Sequence, residues 1–352
     1  MSADEVYKRV AGALDRLANG FPRTENGVEI EILKFMFTPQ EAAIAQHLSD
    51  LPEDADQVAG RSGIAAAEVK ATLRLMRQKG LVWGEKGEEG QPLFRLAPFV
   101  VGSYESQLER MDHRFAHLVE EYFASGGLAG IMRPSPALHR VVPATGTAKT
   151  EWILPYDDVK ALLLSSAGFR IVDCICRKQQ EFVGRECDFP VRICMSFSEA
   201  PIPAGQYTVT REEALEALDH AERLGLVHTV SNVAKGVNYV CNCCGCCCGI
   251  LRGISEFGVE NSVACANYFA VVDAAACTGC GECAQRCQVG AVTVKDDAAV
   301  VDRQRCLGCG VCVTGCAAEA VRLELKPENE IVHPPEDFGS WERLRKTNRG
   351  LA

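Results

Sequence analysis

From Thr38 to Val100 the apolar positions first recur with helical spacing and then alternate. "TPQEAAIAQHLSD" opens with Thr38 as N-cap and Pro39 at the first helical position. "DADQVAGRSG" predicts a short second helix, and "AAAEVKATLRLMRQKG" a third closed by Gly80. "LVWGEKGEEGQPLFRLAP" then predicts two strands around a glycine-rich turn. "SYESQLERMDHRFAHLVEEYFASGG" reads as one long amphipathic helix, suited to pairing with another element or a second subunit. Farther on, "FRIVDCIC" and "VRICMSF" read as apolar strands flanking a polar loop. "TREEALEALDHAERLG" predicts a helix with a Thr210–Glu213 capping box, closed by Gly225. "VGAVTV" and "AEAVRLEL" alternate like short strands. The end, "HPPEDFGSWERLRKTNRGLA", combines a proline break with a basic terminus and is expected to be a mobile tail.

Composition narrows the class. The chain has 352 residues, 47% of them hydrophobic, enough for two or three domains with ordinary cores. Residues 1–20 are charged throughout, which is unlike a signal peptide. The longest apolar stretches fall short of the roughly 20 residues a membrane helix needs. A cytoplasmic protein without a membrane span is the expectation. All 19 cysteines lie between Cys174 and Cys316. Disulfides are disfavoured in that compartment, and an odd count fits a closed disulfide framework badly. Metal ligation is the better reading. The net charge of −10 argues against a general nucleic-acid binder and suits a partner with a positive docking face.

Residues 277–287, "CTGCGECAQRC", and 306–316, "CLGCGVCVTGC", both follow C-x2-C-x2-C-x3-C, offset by 29 residues. Soft thiolates stabilise iron in both oxidation states. Gly279, Gly281, Gly308 and Gly310 let the backbone wrap closely and aim amides at sulfur. A structural zinc module more often shows paired C-x2-C knuckles, so iron–sulfur chemistry is preferred. The segment resembles a bacterial-type 2[4Fe–4S] ferredoxin domain. That resemblance implies Cys277, Cys280, Cys283 and Cys316 as ligands of one cubane, and Cys306, Cys309, Cys312 and Cys287 as ligands of the other. The family usually has proline after the fourth cysteine, where this chain has Gln288 and Ala317.

Ten further cysteines form two groups in sequence. Cys174, Cys176, Cys187 and Cys194 have a spacing that matches no ferredoxin pattern, although four thiols suffice for one cubane. In an extended segment Cys174 and Cys176 would face the same way. "CNCCGCCCG" adds Cys241, Cys243, Cys244, Cys246, Cys247 and Cys248. If extended, it would direct Cys241, Cys243 and Cys247 to one side and the other three to the opposite side. A turn at Gly245 or Gly249 would reorient either set. The run suits two adjacent sites better than one. The ten thiols could fill two cubanes with two to spare, build one larger or unusually ligated centre, or be in part inert core thiols. One or two further clusters are expected. Cys265 is expected to be a small buried hydrophobe. His228 and Asn232 are read as satisfied surface or cap residues rather than ligands. Arg177 and Lys178 either offset cluster charge or solubilise their loop.

Helix, helix, helix, hairpin is the order of a winged helix-turn-helix, which the front segment resembles. In that family the third helix enters the major groove, a role Lys70, Arg74, Arg77 and Lys79 could fill. Residues 1–100 carry 12 Lys+Arg against 15 Asp+Glu, and the turn "GEKGEEG" holds three glutamates. Phosphate neutralisation drives DNA affinity, so this module is expected to dock protein rather than DNA. No nicotinamide, flavin or nucleotide motif is present: "GGLAG" follows no strand and "PATGTAKT" lacks the phosphate-loop pattern.

The expected architecture is α+β and multidomain: a winged-helix-like domain (1–100), a helical linker (101–149), a small α/β cysteine-rich domain (150–266), a ferredoxin fold (267–326) and a tail (327–352). This arrangement resembles the winged-helix proteins fused to ferredoxin modules in anaerobic microbes. The expected function is single-electron transfer with a partner oxidoreductase, a homodimer remaining open. The alternatives are a redox-sensing winged-helix regulator, or a reductase with an unusual catalytic centre between Cys174 and Cys248.

Overall fold

In the computed structural model, which describes residues 3–351, the predicted capping at Thr38 is in place. The Thr38 hydroxyl accepts the Glu41 N–H, and the Glu41 carboxylate accepts the Thr38 N–H in return. The chain divides into two units. The first comprises residues up to Ser135, Lys178–Arg185, and those from Glu342 onward. Its helices are α1 (Ala3–Asp15), α2 (Val28–Met36), α3 (Pro39–Ala45), α4 (Ala55–Ser62) and α5 (Ala66–Gln78). An antiparallel hairpin follows, β1 (Val82–Lys86) and β2 (Pro92–Leu96), with Gly84 opposite Phe94. Residues 39–96 thus have the predicted order of elements. Leu73, Met76, Val82 and Phe94 are buried, so α5 and the hairpin each contribute an apolar face to the core.

The long helix expected after Tyr104 is broken. A short 3-10 segment, Glu105–Arg110, precedes α6 (His113–Ala124) and α7 (Gly127–Met132). Asp112 is the cause: its backbone is extended and its carboxylate accepts the Phe115 N–H at 2.8 Å, starting a new helix. The apolar periodicity continues across the break, which is why the pattern alone reads as continuous.

The second unit comprises Pro136–Arg177 and Glu186–Trp341, and contains every cysteine. It starts with β3 (His139–Val142), α8 (Val159–Ser165), β4 (Gly168–Asp173) and the first residues of α9 (Ile175–Phe182), whose part from Lys178 onward belongs to the first unit. β5 (Arg192–Ser198), β6 (Thr208–Val209), α10 (Arg211–Arg223), β7 (Val227–Ser231), β8 (Tyr239–Cys243) and α11 (Gly249–Ser255) follow. The six strands form one antiparallel sheet in the order β3-β7-β8-β5-β4-β6. Leu163 of α8 and Leu218 of α10 pack with Phe169, Met195, Phe197 and Val240 of the sheet. The Thr210–Glu213 capping box starts α10, and Gly225 follows its end at φ 78°.

The polar loop expected between "FRIVDCIC" and "VRICMSF" is instead α9. Its buried residues beyond Ile175 are polar: Gln179 and Gln180 donate to Glu120 at 3.0 and 2.8 Å, within the first unit. Hydropathy cannot reveal a face buried through hydrogen bonds.

The ferredoxin segment contributes β9 (Tyr268–Val272), α12 (Glu282–Arg286), β10 (Val292–Lys295), β11 (Ala298–Val301), α13 (Val311–Thr314) and β12 (Val321–Leu325). β9 pairs with β12 and β10 with β11, both antiparallel. Asp296 and Asp297, both at positive φ, form the two-residue turn between β10 and β11.

The expected tail carries a helix, α14 (Phe338–Asn348). Within the first unit Arg345 is fully buried, donating to the carbonyls of Ala18, Ile131 and Pro134. The basic residues that suggested a loose terminus hold the chain in place by capping backbone carbonyls. Among the described residues no helix is long and apolar enough to cross a membrane.

Candidate metal centres

The ferredoxin repeat places its cysteines in two quartets. Cys277, Cys280, Cys283 and Cys316 line one pocket, with Ala299 and Ala320. Cys306, Cys309, Cys312 and Cys287 line another, with Ala270 and Val227. Each first motif cysteine precedes a short helix whose N-cap, Gly281 or Gly310, has positive φ. The preceding glycines must approach other backbone closely. A Cβ on Gly279 would lie 2.5 Å from Asp297 O, and one on Gly308 would lie 2.3 Å from Tyr268 O.

Backbone amides complete the symmetry. Ala299 N–H donates to Cys277 Sγ (3.4 Å) and Ala320 N–H to Cys316 Sγ (3.3 Å). At the second cavity Ala270 N–H donates to Cys306 Sγ (3.5 Å) and Ala291 N–H to Cys287 Sγ (3.1 Å). Ala291 and Ala320 stand 29 residues apart, as their cysteines do, whereas Ala270 precedes Cys306 and Ala299 follows Cys277. Amides aimed at sulfur stabilise thiolate and raise the reduction potential of iron bound to it. Four soft donors around a closed cavity with two such amides each fit a cubane. Burial pushes Cys312 up to about 12 and Cys309 also upward, so loading metal must release protons there.

The other ten thiols gather in two sets that their order in the chain does not give. Six form a closed ring of neighbouring sulfurs, each acting electrostatically on the next. The order is Cys174, Cys176, Cys248, Cys243, Cys241, Cys194 and back to Cys174. The Cys243–Cys248 separation is 3.3 Å. Alternation on β8 puts Cys241 and Cys243 on one face. Pairing of Met195 with Val240 brings Cys194 of β5 beside Cys241. Cys174 and Cys176 do share a site, as expected, but through the turn from β4 into α9 rather than along a strand. Cys248 joins from the turn before α11. Thr229 Oγ1 lies 3.4 Å from Cys243 Sγ.

The remaining four, Cys187, Cys244, Cys246 and Cys247, have sulfurs all within 4.8 Å of one another. The extended reading of "CNCCGCCCG" therefore has Cys247 and Cys248 on the wrong sides. The chain leaves the strand after Cys243, and the turn at Cys244–Cys247 exchanges them.

Arg177 is 3% exposed and lies between the two sets. It donates to the carbonyls of Pro190 (2.9 Å) and Asn242 (3.0 Å) rather than to a carboxylate. Burial pulls its pKa down, but the sulfurs of Cys174, Cys244 and Cys194 raise it above its ordinary value. Cys174 and Cys244 are held below the usual thiol range, first by hydrogen bonds from Cys176 and Cys246 and then by Arg177. Lys178 pairs instead with Glu181 at 2.8 Å. Of the two basic residues, Arg177 is the one that compensates sulfur charge.

His228 is buried rather than on the surface. Its ring contacts Asn242 Oδ1 (2.6 Å) and Glu222 Oε1 (3.2 Å), so it is satisfied without sulfur. Asn232 donates to Ala137 O. Cys265 is exposed, contrary to the expected buried packing, and stands outside both sets.

Sequence reasoning missed the residues that join the two cysteine regions. Gln288 takes the place of the usual proline. Its Oε1 accepts the Gly245 N–H at 2.8 Å and its amide donates to Gly225 O at 2.9 Å. A Cβ on Gly245 would lie 2.1 Å from Gln288 O. Arg286 donates to Glu222 O, Arg223 O, Val311 O and Thr314 Oγ1. The missing proline was the only available signal.

Residues 269–317 match the family model of a 4Fe-4S dicluster domain. No curated protein and no solved structure shows a significant match to the chain. The chain is an iron–sulfur protein whose dicluster domain is preceded by a second cysteine cluster.

Proposed function

We propose that the chain carries single electrons between its iron–sulfur centres and a partner oxidoreductase of anaerobic metabolism. Cys277, Cys280, Cys283 and Cys316 would hold one [4Fe–4S] cubane, and Cys306, Cys309, Cys312 and Cys287 the other. The six-thiol ring of Cys174, Cys176, Cys194, Cys241, Cys243 and Cys248 would hold a further iron–sulfur centre. Such groups, when bound, exchange one electron at a time at potentials set by charge and hydrogen bonding. The carrying observation is the set of four Ala amides on four motif sulfurs, two in each quartet. The Gly245–Gln288 contact supports a route between regions, because it holds the turn that ends at Cys248 of the six-thiol ring against the residue that follows Cys287. The charge of −10 suits docking to a positive face.

Anaerobic purification with iron and sulfide analysis, then reductive titration under EPR, tests this. At least about twelve irons per chain are expected, at about four per cubane. Fewer than about eight would end the reading.

The order of elements in residues 39–96 favours a second reading, a redox-sensing regulator with a winged helix. Lys79 of its presumed groove helix is engaged by Glu41 at 2.6 Å, which weakens that reading. Tight, salt-sensitive binding of the holoprotein to a defined DNA site would favour the regulator over the carrier.

A further inference from the structure

We propose that Cys187, Cys244, Cys246 and Cys247 hold one tetrahedral metal ion, zinc, as a structural site distinct from every iron–sulfur centre. Four thiolates on a single zinc, with bonds of about 2.3 Å at tetrahedral angles, stand about 3.8 Å apart. Cys246 and Cys247 stand 3.7 Å apart, and all four sulfurs lie within 4.8 Å of one another. Among the described residues this is the one group of potential ligands gathered so closely. In a cubane each thiolate takes a different iron, so its sulfurs must stand around a body. The ferredoxin quartets do so, four sulfurs lining each of two pockets. The six-thiol ring is likewise too extended for a single ion to reach every member.

The surroundings are those of a closed site. Ile193, Ala221 and Leu226 pack around Cys244 and Cys247, with Phe189 and Leu224 beside them. Three ligands come from one turn and the fourth from the loop between α9 and β5. An ion with four protein thiolates keeps no open position, which marks it as structural rather than catalytic. It would fasten the loop carrying Cys187 to the turn that leads into Cys248.

This inference goes beyond the proposed function and stands or falls separately. Zinc, iron and sulfide are to be counted in the anaerobically prepared full-length protein and in its Cys246→Ala and Cys187→Ala variants. Cys246 is exposed, so its replacement spares the core. The expected result is one zinc per chain in the parent and less than a tenth of that in each variant. Iron, sulfide and the ferredoxin EPR signals should be unchanged, which also shows that the variants fold. Zinc-edge absorption on the parent should give four sulfurs at about 2.3 Å and no neighbouring metal. Loss of about four irons with sulfide from the variants would overturn the proposal, and so would zinc retained in both. A single iron without sulfide in place of zinc would overturn the structural assignment. A parent lacking iron would sink the electron-transfer reading while leaving the zinc count to judge this one.

Discussion

Two cysteine-rich regions lie in one unit of this protein, and they were built by different rules. In the ferredoxin segment the motif repeats along the chain, and the resemblance to two-cluster ferredoxins implies the ligand sets. Each motif turns at a glycine and enters a short helix, and two Ala amides fall on the sulfurs of each quartet. In the other region, ten thiols come from a strand–helix junction, a loop, two strands and a turn. There, residues adjacent in sequence serve different sets, as Cys243 and Cys244 do, while Cys174 and Cys194 meet across β4 and β5. A locally encoded site tolerates change outside its motif. A site assembled from sheet register depends on the whole sheet.

The sharpest way to break the comparison is one substitution in each region. Cys309→Ser should abolish one ferredoxin signal and leave the zinc count unchanged, since oxygen is a poorer ligand for these irons. Cys194→Ser should remove the additional centre and keep both ferredoxin signals. Iron analysis and EPR of both variants, prepared without oxygen, read the outcome. If Cys194→Ser retained every iron, the six-thiol ring would hold no centre.

A smaller effect is expected where the regions meet. Gly245→Ala must move the Gln288 backbone, because its methyl would lie 2.1 Å from that carbonyl. Overpacking of this kind costs about 1–3 kcal/mol. Gln288→Ala leaves the Gly245 N–H without its side-chain acceptor, a loss of about 1 kcal/mol. Both variants should keep full metal content yet lose iron faster in denaturant, Gly245→Ala more so. Equal iron-release half-lives in parent and variants would show that the contact does not join the regions.

A pH-dependent effect is expected at the sheet edge. Burial lowers His139 to about 4, where its ring contacts Thr229 Oγ1 and Tyr239 OH. The unfolded chain binds this proton at higher pH, near 6.5, so between those values it holds more protons than the folded chain. The stability tied to neutral His139 is therefore fully present above about 6.5 and is lost as pH falls toward about 4. His139→Gln should flatten that slope in denaturation series across this window. An unchanged slope would mean that other groups set it.

Much of the scaffold was legible because local rules suffice for it. Thr38 and Thr210 carry capping boxes whose residues lie three positions apart, and both caps are formed. The ferredoxin resemblance implies the two quartets, and the same eight cysteines line two pockets, four in each. α9 escaped notice because its buried face is glutamine satisfied by Glu120, and the break at Asp112 because apolar spacing runs through it. α14 was read as a tail because the value of Arg345 lies in three distant carbonyls.

The sequence by itself determined that this protein binds iron as thiolate clusters, because soft ligands at ferredoxin spacing leave little else for that segment to do. Only the tertiary structure decided how the other ten thiols divide. Strand alternation fixed the face of Cys241 and Cys243, pairing of β5 with β8 brought Cys194 to Cys241, and one turn exchanged Cys247 with Cys248. It also put the Arg177 charge among sulfurs and set Gln288 against Gly245. The physical reason is the same in each case. A contact within one turn of chain is written in spacing, whereas a contact between strands depends on register, which the sheet as a whole sets.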